Sequence, residues 1–218
     1  GAGDGRIVIE AARRGIPAHG IELDPELVAL ARKRAAEAQV ADLATFAVGD
    51  VFDADLSGAT VVTLYLMPDA NLALRPKLLA ELQPGTRVLS LSFTMGEWQP
   101  DARAQGRTSG GVLLWQVPAR VAGHWELLVD DRRYDLIIAQ DFQKLEAALS
   151  SENGPLKAAA HLRGSELTIL FEEAGQAYRL AGTVADKAIN ASNSASVAAG
   201  WSARRKDEVA DERPDSMP

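Results

Sequence analysis

Gly1-Ala2-Gly3-Asp4-Gly5 opens the chain and leads straight into a helical pattern, which restricts the fold more than any other stretch. Glycines let the backbone turn tightly and approach a ligand with no Cβ in the way. A loop of this kind normally follows a buried strand, and none precedes it here. The expectation is therefore that natural sequence lies upstream, including a first strand in the middle of the sheet and any targeting segment. Arg6 to Arg14 reads as a helix with Ile7, Val8, Ala11 and Ala12 on its apolar face, ended by Gly15. Taken alone, the glycine loop is as compatible with an ordinary strand-to-helix turn as with a binding site.

Strand and helix patterns then alternate, as they do in an α/β fold. Ala18 to Leu23 is a short strand. Asp24 is an N-cap with Pro25 at the first helical position, and the helix runs from Glu26 to Ala38. Ala44 to Val48 is a strand ending at Gly49-Asp50. Thr60 to Leu66 is almost unbroken apolar sequence, which predicts a strand covered by helices on both faces. Asp69 to Leu82 reads as a helix that Pro76 should kink or start. After the Pro84-Gly85 turn, Arg87 to Phe93 is another strand.

Past Met95 the pattern changes. Gly96 to Gly111 reads as a long polar loop, and long loops are often functional. Strand-like runs come next at Val112 to Val117, Trp125 to Val129, Tyr134 to Ala139, Leu156 to Leu162, Leu167 to Phe171 and Tyr178 to Val184. They predict a β-meander forming a small sandwich or barrel. Gln143 to Leu149 is assigned to a short helix and Ser196 to Arg204 to a last strand. The expected boundaries are 1–118, 119–205 and a disordered charged tail at 206–218.

The chemistry-bearing residues fall at strand ends. Glu22 closes the second strand of the pattern, beside the glycine loop, where a carboxylate can accept both ribose hydroxyls of a nucleoside. Asp50 follows the third strand. It can accept from an adenine amino group, while Val51 offers a backbone N–H and Phe52 an apolar face. Each has a plainer use: Glu22 as a surface acid, Asp50 as a turn former. Their order at successive carboxyl ends, the edge where open α/β sheets bind ligands, favours the joint reading.

GAGDGRIVIEAA, GIELDP and GDVFDADL together resemble class I S-adenosylmethionine (SAM)-dependent methyltransferases. The resemblance implies a Rossmann-like doubly wound sheet and SAM as cofactor. It implies that Gly1, Gly3 and Gly5 face the methionine part, Glu22 holds the ribose and Asp50 contacts the adenine. The stretch from Ala59 to Asp101 is also similar to a bacterial group of such enzymes. More distantly it is similar to mitochondrial protein-lysine methyltransferases acting on ATP synthase and the ADP/ATP carrier. That similarity implies methyl transfer to a nitrogen, with a protein lysine as acceptor.

Tyr65-Leu66-Met67-Pro68-Asp69 stands where amino methyltransferases of nucleic acids often carry Asn/Asp-Pro-Pro-aromatic, and departs from it. Adenine or cytosine amino methylation is thereby disfavoured. An amine must lose a proton before it attacks, and Tyr65 and Asp69 are the candidate catalytic residues by position. Met67, Pro68, Glu97 and Trp98 are candidate substrate contacts, with strand-end packing an equal reading for Met67 and loop anchoring for Trp98.

Composition narrows the alternatives. The 218-residue chain carries a formal net charge of −7, against a nucleic-acid binder relying on nonspecific phosphate contacts. Arg32-Lys33-Arg34 and Arg204-Arg205-Lys206 read as solvated faces. Without cysteine there is no thiolate nucleophile or Cys-ligated zinc. His19, His124 and His161 share no metal-ligand spacing, so no metal site is expected. No apolar run reaches bilayer length, no secretory signal is visible, and the expected location is cytoplasmic. One rival is a nicotinamide-dependent oxidoreductase, whose Gly-x-Gly-x-x-Gly is missed because Gly5 comes one residue early. Another is a non-catalytic SAM-binding module of the same fold.

Overall fold

The computed structural model describes residues 1–105, 110–192 and 200–206, which divide into two compact units, 1–115 and 116–218. Elements of the first unit run α1 (Arg6–Arg13), β1 (Ala18–Glu22), α2 (Pro25–Glu37), β2 (Ala44–Val48), β3 (Val61–Leu64), α3 (Pro68–Glu81), β4 (Arg87–Leu91), β5 (Ala102–Ala104) and β6 (Val112–Gln116). β1 and β2 pair in parallel, with Glu22 opposite Val48. β3 and β4 also pair in parallel, in a separate sheet of order β3-β4-β6-β5. The sheet expected to be continuous is thus present as two pieces.

Local chemistry explains the helix limits. Gly5 caps α1 at φ 79°, in the left-handed region that favours glycine. A Cβ there would also lie 2.7 Å from the Phe46 ring and 2.8 Å from Ala31. α1 buries Val8, Ile9 and Ala12 against α2 and β2, and leaves Ile7 exposed. The buried face is therefore rotated from the expected one, because the entry angle set by the glycine turn chooses which stripe meets Phe46. Asp24 caps α2 by accepting from the N–H of Glu26 at 2.8 Å.

Three expectations for this unit need correction. Val61 is 40% exposed and Thr63 is exposed, so β3 is not covered on both faces. It has β4 on one edge and, among the described residues, no ladder partner on the other. α3 does not start at Pro76. It runs through it, with Leu74 and Leu78 buried on either side to hold the helix in place. The loop after Met95 contains β5, which pairs antiparallel with β6.

The second unit is an antiparallel meander: β7 (Gly123–Val129), β8 (Arg132–Asp141), β9 (Lys144–Ser151), β10 (Gly154–Leu156), β11 (Ala158–Arg163), β12 (Glu166–Glu173), β13 (Gln176–Ala185), β14 (Ala188–Ala191) and β15 (Trp201–Arg205). The last strand pairs with the first, Arg205 opposite Trp125, so the sheet closes into a nearly complete barrel. Inward residues alternate along each strand, as in Trp125, Leu127 and Val129 of β7.

The segment expected to be a short helix, Gln143 to Leu149, is mostly β9. A tight hairpin pairs Asp141 with Lys144, and Leu145, Ala147 and Leu149 then alternate inward at period two. Helix propensity is a weak prior, and the register set by the hairpin overrides it. Arg205 is not a solvated cation. Its guanidinium lies 4.5 Å from the Trp125 ring centroid and donates to the carbonyls of Ala122 and Arg120. Lys206 donates its N–H to the carbonyl of His124 at 2.9 Å, so the expected tail does not begin there. Residues 207–218, and 196–199 of the expected last strand, lie outside the described residues.

Candidate functional site

The glycine loop touches the carboxyl ends of both β1 and β3, and β2 ends beside β1. The N–H of Ala2 donates to the carbonyl of Ile21 at 2.9 Å, so the glycine loop lies across the end of β1. A Cβ on Gly1 would lie 2.5 Å from the Leu66 side chain and 3.9 Å from the Tyr65 carbonyl, which puts the same loop against the end of β3. The N–H of Gly49 donates to the carbonyl of Glu22 at 2.9 Å, which draws the end of β2, and Asp50 after it, alongside.

Glu22 is engaged with this loop. Its Oε2 accepts from the N–H of Gly3 at 2.8 Å and its Oε1 from the N–H of Asp24 at 3.2 Å. Partial burial pushes the carboxyl upward, but the backbone N–H groups of Gly3 and Asp24 hold Glu22 below its ordinary value. The carboxylate is therefore ionised at neutral pH, with acceptor capacity to spare. Gly3 faces open space.

Asp50 serves its turn, its Oδ1 accepting from the N–H of Phe52 at 3.0 Å. Its other oxygen has no partner among the described residues. Val51 is half-buried, and the Phe52 ring is 41% exposed beside it.

Asp4 carries no role in the sequence reading, yet it anchors the loop. It accepts from Arg6 at 2.9 and 2.8 Å and from Arg34 of α2. The Arg6 guanidinium first, then Arg34, holds its carboxyl well below the usual range against a smaller opposing effect of burial. The signal available in sequence was an acid two residues before an arginine. Arg34 and Arg32, which donates to the Phe46 carbonyl at 2.6 Å, are thus structural rather than merely solvated.

The acceptor-side candidates separate. Tyr65 is 62% exposed and Met67 70% exposed, and Pro68 and Asp69 open α3 on the surface. Glu97 is also exposed. Trp98 is not a substrate contact of this fold. Its side chain is fully buried, packed at 6.0 Å centroid separation on Trp115, whose Nε1 donates to the Trp98 carbonyl at 2.8 Å. Burial of so large an apolar ring outweighs any pull toward the surface, and the tryptophan anchors the loop. His19 meets Thr45 at 2.9 Å, and no cluster of potential metal ligands occurs among the described residues.

These strand ends can do specific chemistry. Ribose hydroxyls are donors that need a carboxylate, an adenine amino group is a donor that needs an acceptor, and a purine ring needs an apolar face. Glu22, Asp50 and Phe52 supply those groups in that order. The residues present therefore fit an adenosyl group.

The model of the ANTKMT methyltransferase domain family matches residues 1–102. A protein-lysine N-methyltransferase of Saccharolobus islandicus is 41% identical over 102 residues, covering 46% of this chain and 63% of its own. The adenine nucleotide translocase lysine N-methyltransferase of Mus musculus is 41% identical over 103 residues, covering 47% of this chain and 45% of its own. This chain thus spans about half the length of the curated relatives it matches. An RNA methyltransferase from Salinibacter ruber, solved with S-adenosyl-L-homocysteine, is 53% identical with a TM-score of 0.54. That likeness covers 56% of this chain and 79% of the other.

Proposed function

This chain belongs to the SAM-dependent methyltransferases, and from that premise we propose that it transfers a methyl group to a lysine nitrogen of a protein substrate. The observation that carries the cofactor half is the ionised Glu22 carboxylate, bonded to the Gly3 N–H at the end of β1. The lysine half rests on the relatives named for lysine methylation.

We take the two sheets as flanks of one Rossmann-like sheet. The support is the glycine loop lying against the ends of both β1 and β3. In this reading Glu22 receives the ribose hydroxyls and Asp50 the adenine amino group. Val51 and Phe52 cover the base, and Gly1, Gly3 and Gly5 let the backbone approach the methionine part. When bound, SAM supplies a methyl group already activated on a sulfonium, leaving S-adenosylhomocysteine.

The chain's own task is then placement. A lysine ammonium has an ordinary pKa of about 10.4, so the acceptor must shed a proton first. Tyr65 and Asp69 are assigned to receive that proton or orient the amine, with Met67, Pro68 and Glu97 along its approach. Their exposure at the end of β3 supports this role.

The RNA methyltransferase likeness favours a second acceptor, RNA. The net charge of −7 weighs against it. The test is incubation with methyl-labelled SAM and either a protein extract or total RNA from cells. Label recovered as methyl-lysine after acid hydrolysis is the expected result. Label in RNA alone overturns the lysine assignment, and absence of S-adenosylhomocysteine binding by calorimetry overturns the cofactor site.

A further inference from the structure

Asn71 lies in the first turn of α3 and is fully buried. Its Nδ2 donates to Ser90 Oγ on β4 at 2.9 Å and to the carbonyl of Phe93, just past that strand, at 3.4 Å. Its own backbone N–H donates to the carbonyl of Met67 at 3.1 Å. Arg75, one turn later on the same face, donates to the carbonyl of Met95 at 2.9 Å. The loop lies tight against α3, since a Cβ on Gly96 would come 2.9 Å from Leu72 and 3.1 Å from Arg75. Met95 and Trp98 bridge each other and are fully buried. Thus α3 grips the loop backbone while the core holds its side chains.

Asn71 is an expensive choice for such a place. Its Oδ1 is buried with no hydrogen-bond partner among the described residues. A leucine, branched in the same way, would bring no buried acceptor of its own but would take the donor away from Ser90 Oγ and the Phe93 carbonyl, so the value of the amide lies in those two bonds. What distinguishes the amide is the pair of bonds it donates toward the strand and the loop.

Resting on the methyl-transfer reading above, we propose that Asn71 and Arg75 are positioning residues. They fix the 93–98 loop to the start of α3, so that Glu97 stays in register with Met67, Pro68 and Asp69. The two stretches facing the acceptor then move as one body. The bonds that tie them to the loop go to Ser90, Phe93 and Met95 rather than to Gly3, Glu22 or Asp50, so the acceptor step depends on them and cofactor binding does not.

The test compares the protein with Asn71→Leu, Arg75→Met and Arg75→Lys. Hydrogen–deuterium exchange reads the loop directly, without any substrate. Exchange of 93–98 is expected to rise about tenfold in Asn71→Leu and Arg75→Met, the scale of losing one or two such hydrogen bonds, while 87–91 stays protected. With poly-L-lysine as acceptor probe, half-saturation should rise by about the same factor, kcat should change by less than about twofold, and the Kd for S-adenosylhomocysteine should stay within about twofold. Arg75→Lys should restore most of the loss. Unchanged exchange, or a cofactor affinity that weakens as much as the acceptor's, overturns the proposal. If Asn71→Leu fails to fold, the half-buried Arg75 pair decides alone. If the wild-type protein binds S-adenosylhomocysteine but leaves poly-L-lysine unlabelled, the lysine reading fails and the exchange data still decide whether these residues hold the loop.

Discussion

The α/β unit and the β unit treat their large apolar side chains in opposite ways. Of the twelve exposed large hydrophobics among the described residues, ten lie in the first unit and two, Leu128 and Ile137, in the second. Leu23, Val48, Phe52, Tyr65 and Met67 all stand at or just past the carboxyl ends of β1, β2 and β3. Apolar exposure at strand ends, with the second Asp50 oxygen unspent, is what the proposed adenosyl site would use. The barrel instead spends its polar groups on itself. Tyr134 donates to Glu173 at 2.7 Å and Arg132 to Glu173 at 2.9 Å and to the Tyr178 hydroxyl. Burial first, then Glu173, pushes the Tyr134 hydroxyl up to about 12, so it remains a donor throughout the physiological range. One region is built to be completed by something else, the other to be complete.

That contrast can be broken in order of effect. Trp125→Ala removes a fully buried ring that donates to the Val121 carbonyl at 2.9 Å and carries Arg205 on its face. It should lower the stability of the barrel by about 3–5 kcal/mol in urea titration. Affinity for S-adenosylhomocysteine is expected to be unchanged, and a comparable loss of binding would show that the barrel is not self-contained. Glu22→Ala should weaken S-adenosylhomocysteine binding by about 2–3 kcal/mol in calorimetry, from the loss of charge-assisted bonds. Equal affinity would remove Glu22 from the site.

Asp50→Ala should cost about 1–1.5 kcal/mol for SAM and for S-adenosylhomocysteine alike, because both carry the adenine. A loss for only one of them contradicts the adenine role. The smallest effect concerns pH. Asp4 is held below its ordinary value by Arg6 and Arg34. Its contribution is therefore present above the unfolded-state pKa of about 3.9 and is lost as pH falls through the lower folded value. The urea midpoint should drop less between neutral pH and pH about 3 in Asp4→Asn than in the wild type. Equal drops would mean that the ion pairs do not brace the glycine loop.

Legibility in the sequence followed the range of the forces involved. Asp24-Pro25 announces the start of α2 because an N-cap and a proline act within a few residues. Glu22 and Asp50 were readable as a pair because each closes or follows a strand that its neighbours define, and the glycine loop was readable because Gly3 and Gly5 take positive φ. Trp98 stays open in the sequence, since tryptophan suits an entrance and a core equally, and only the position of Trp115 decides between them. Gln143 to Leu149 was misread because its composition suits a helix, and the hairpin that makes it β9 is imposed by pairing with β8.

The sequence by itself determined the type of each strong element, the glycine turn, and the order of acids along the chain. These depend on φ preferences, caps and periodicity, which are local. Tertiary structure alone decided that Glu22 meets the Gly3 N–H and that Asp4 joins Arg34. It also decided that Asn71 reaches across to Ser90 and Phe93, and that the meander closes through β7 and β15. Those contacts join residues far apart in the chain, where pairing and packing rather than propensity choose the partner.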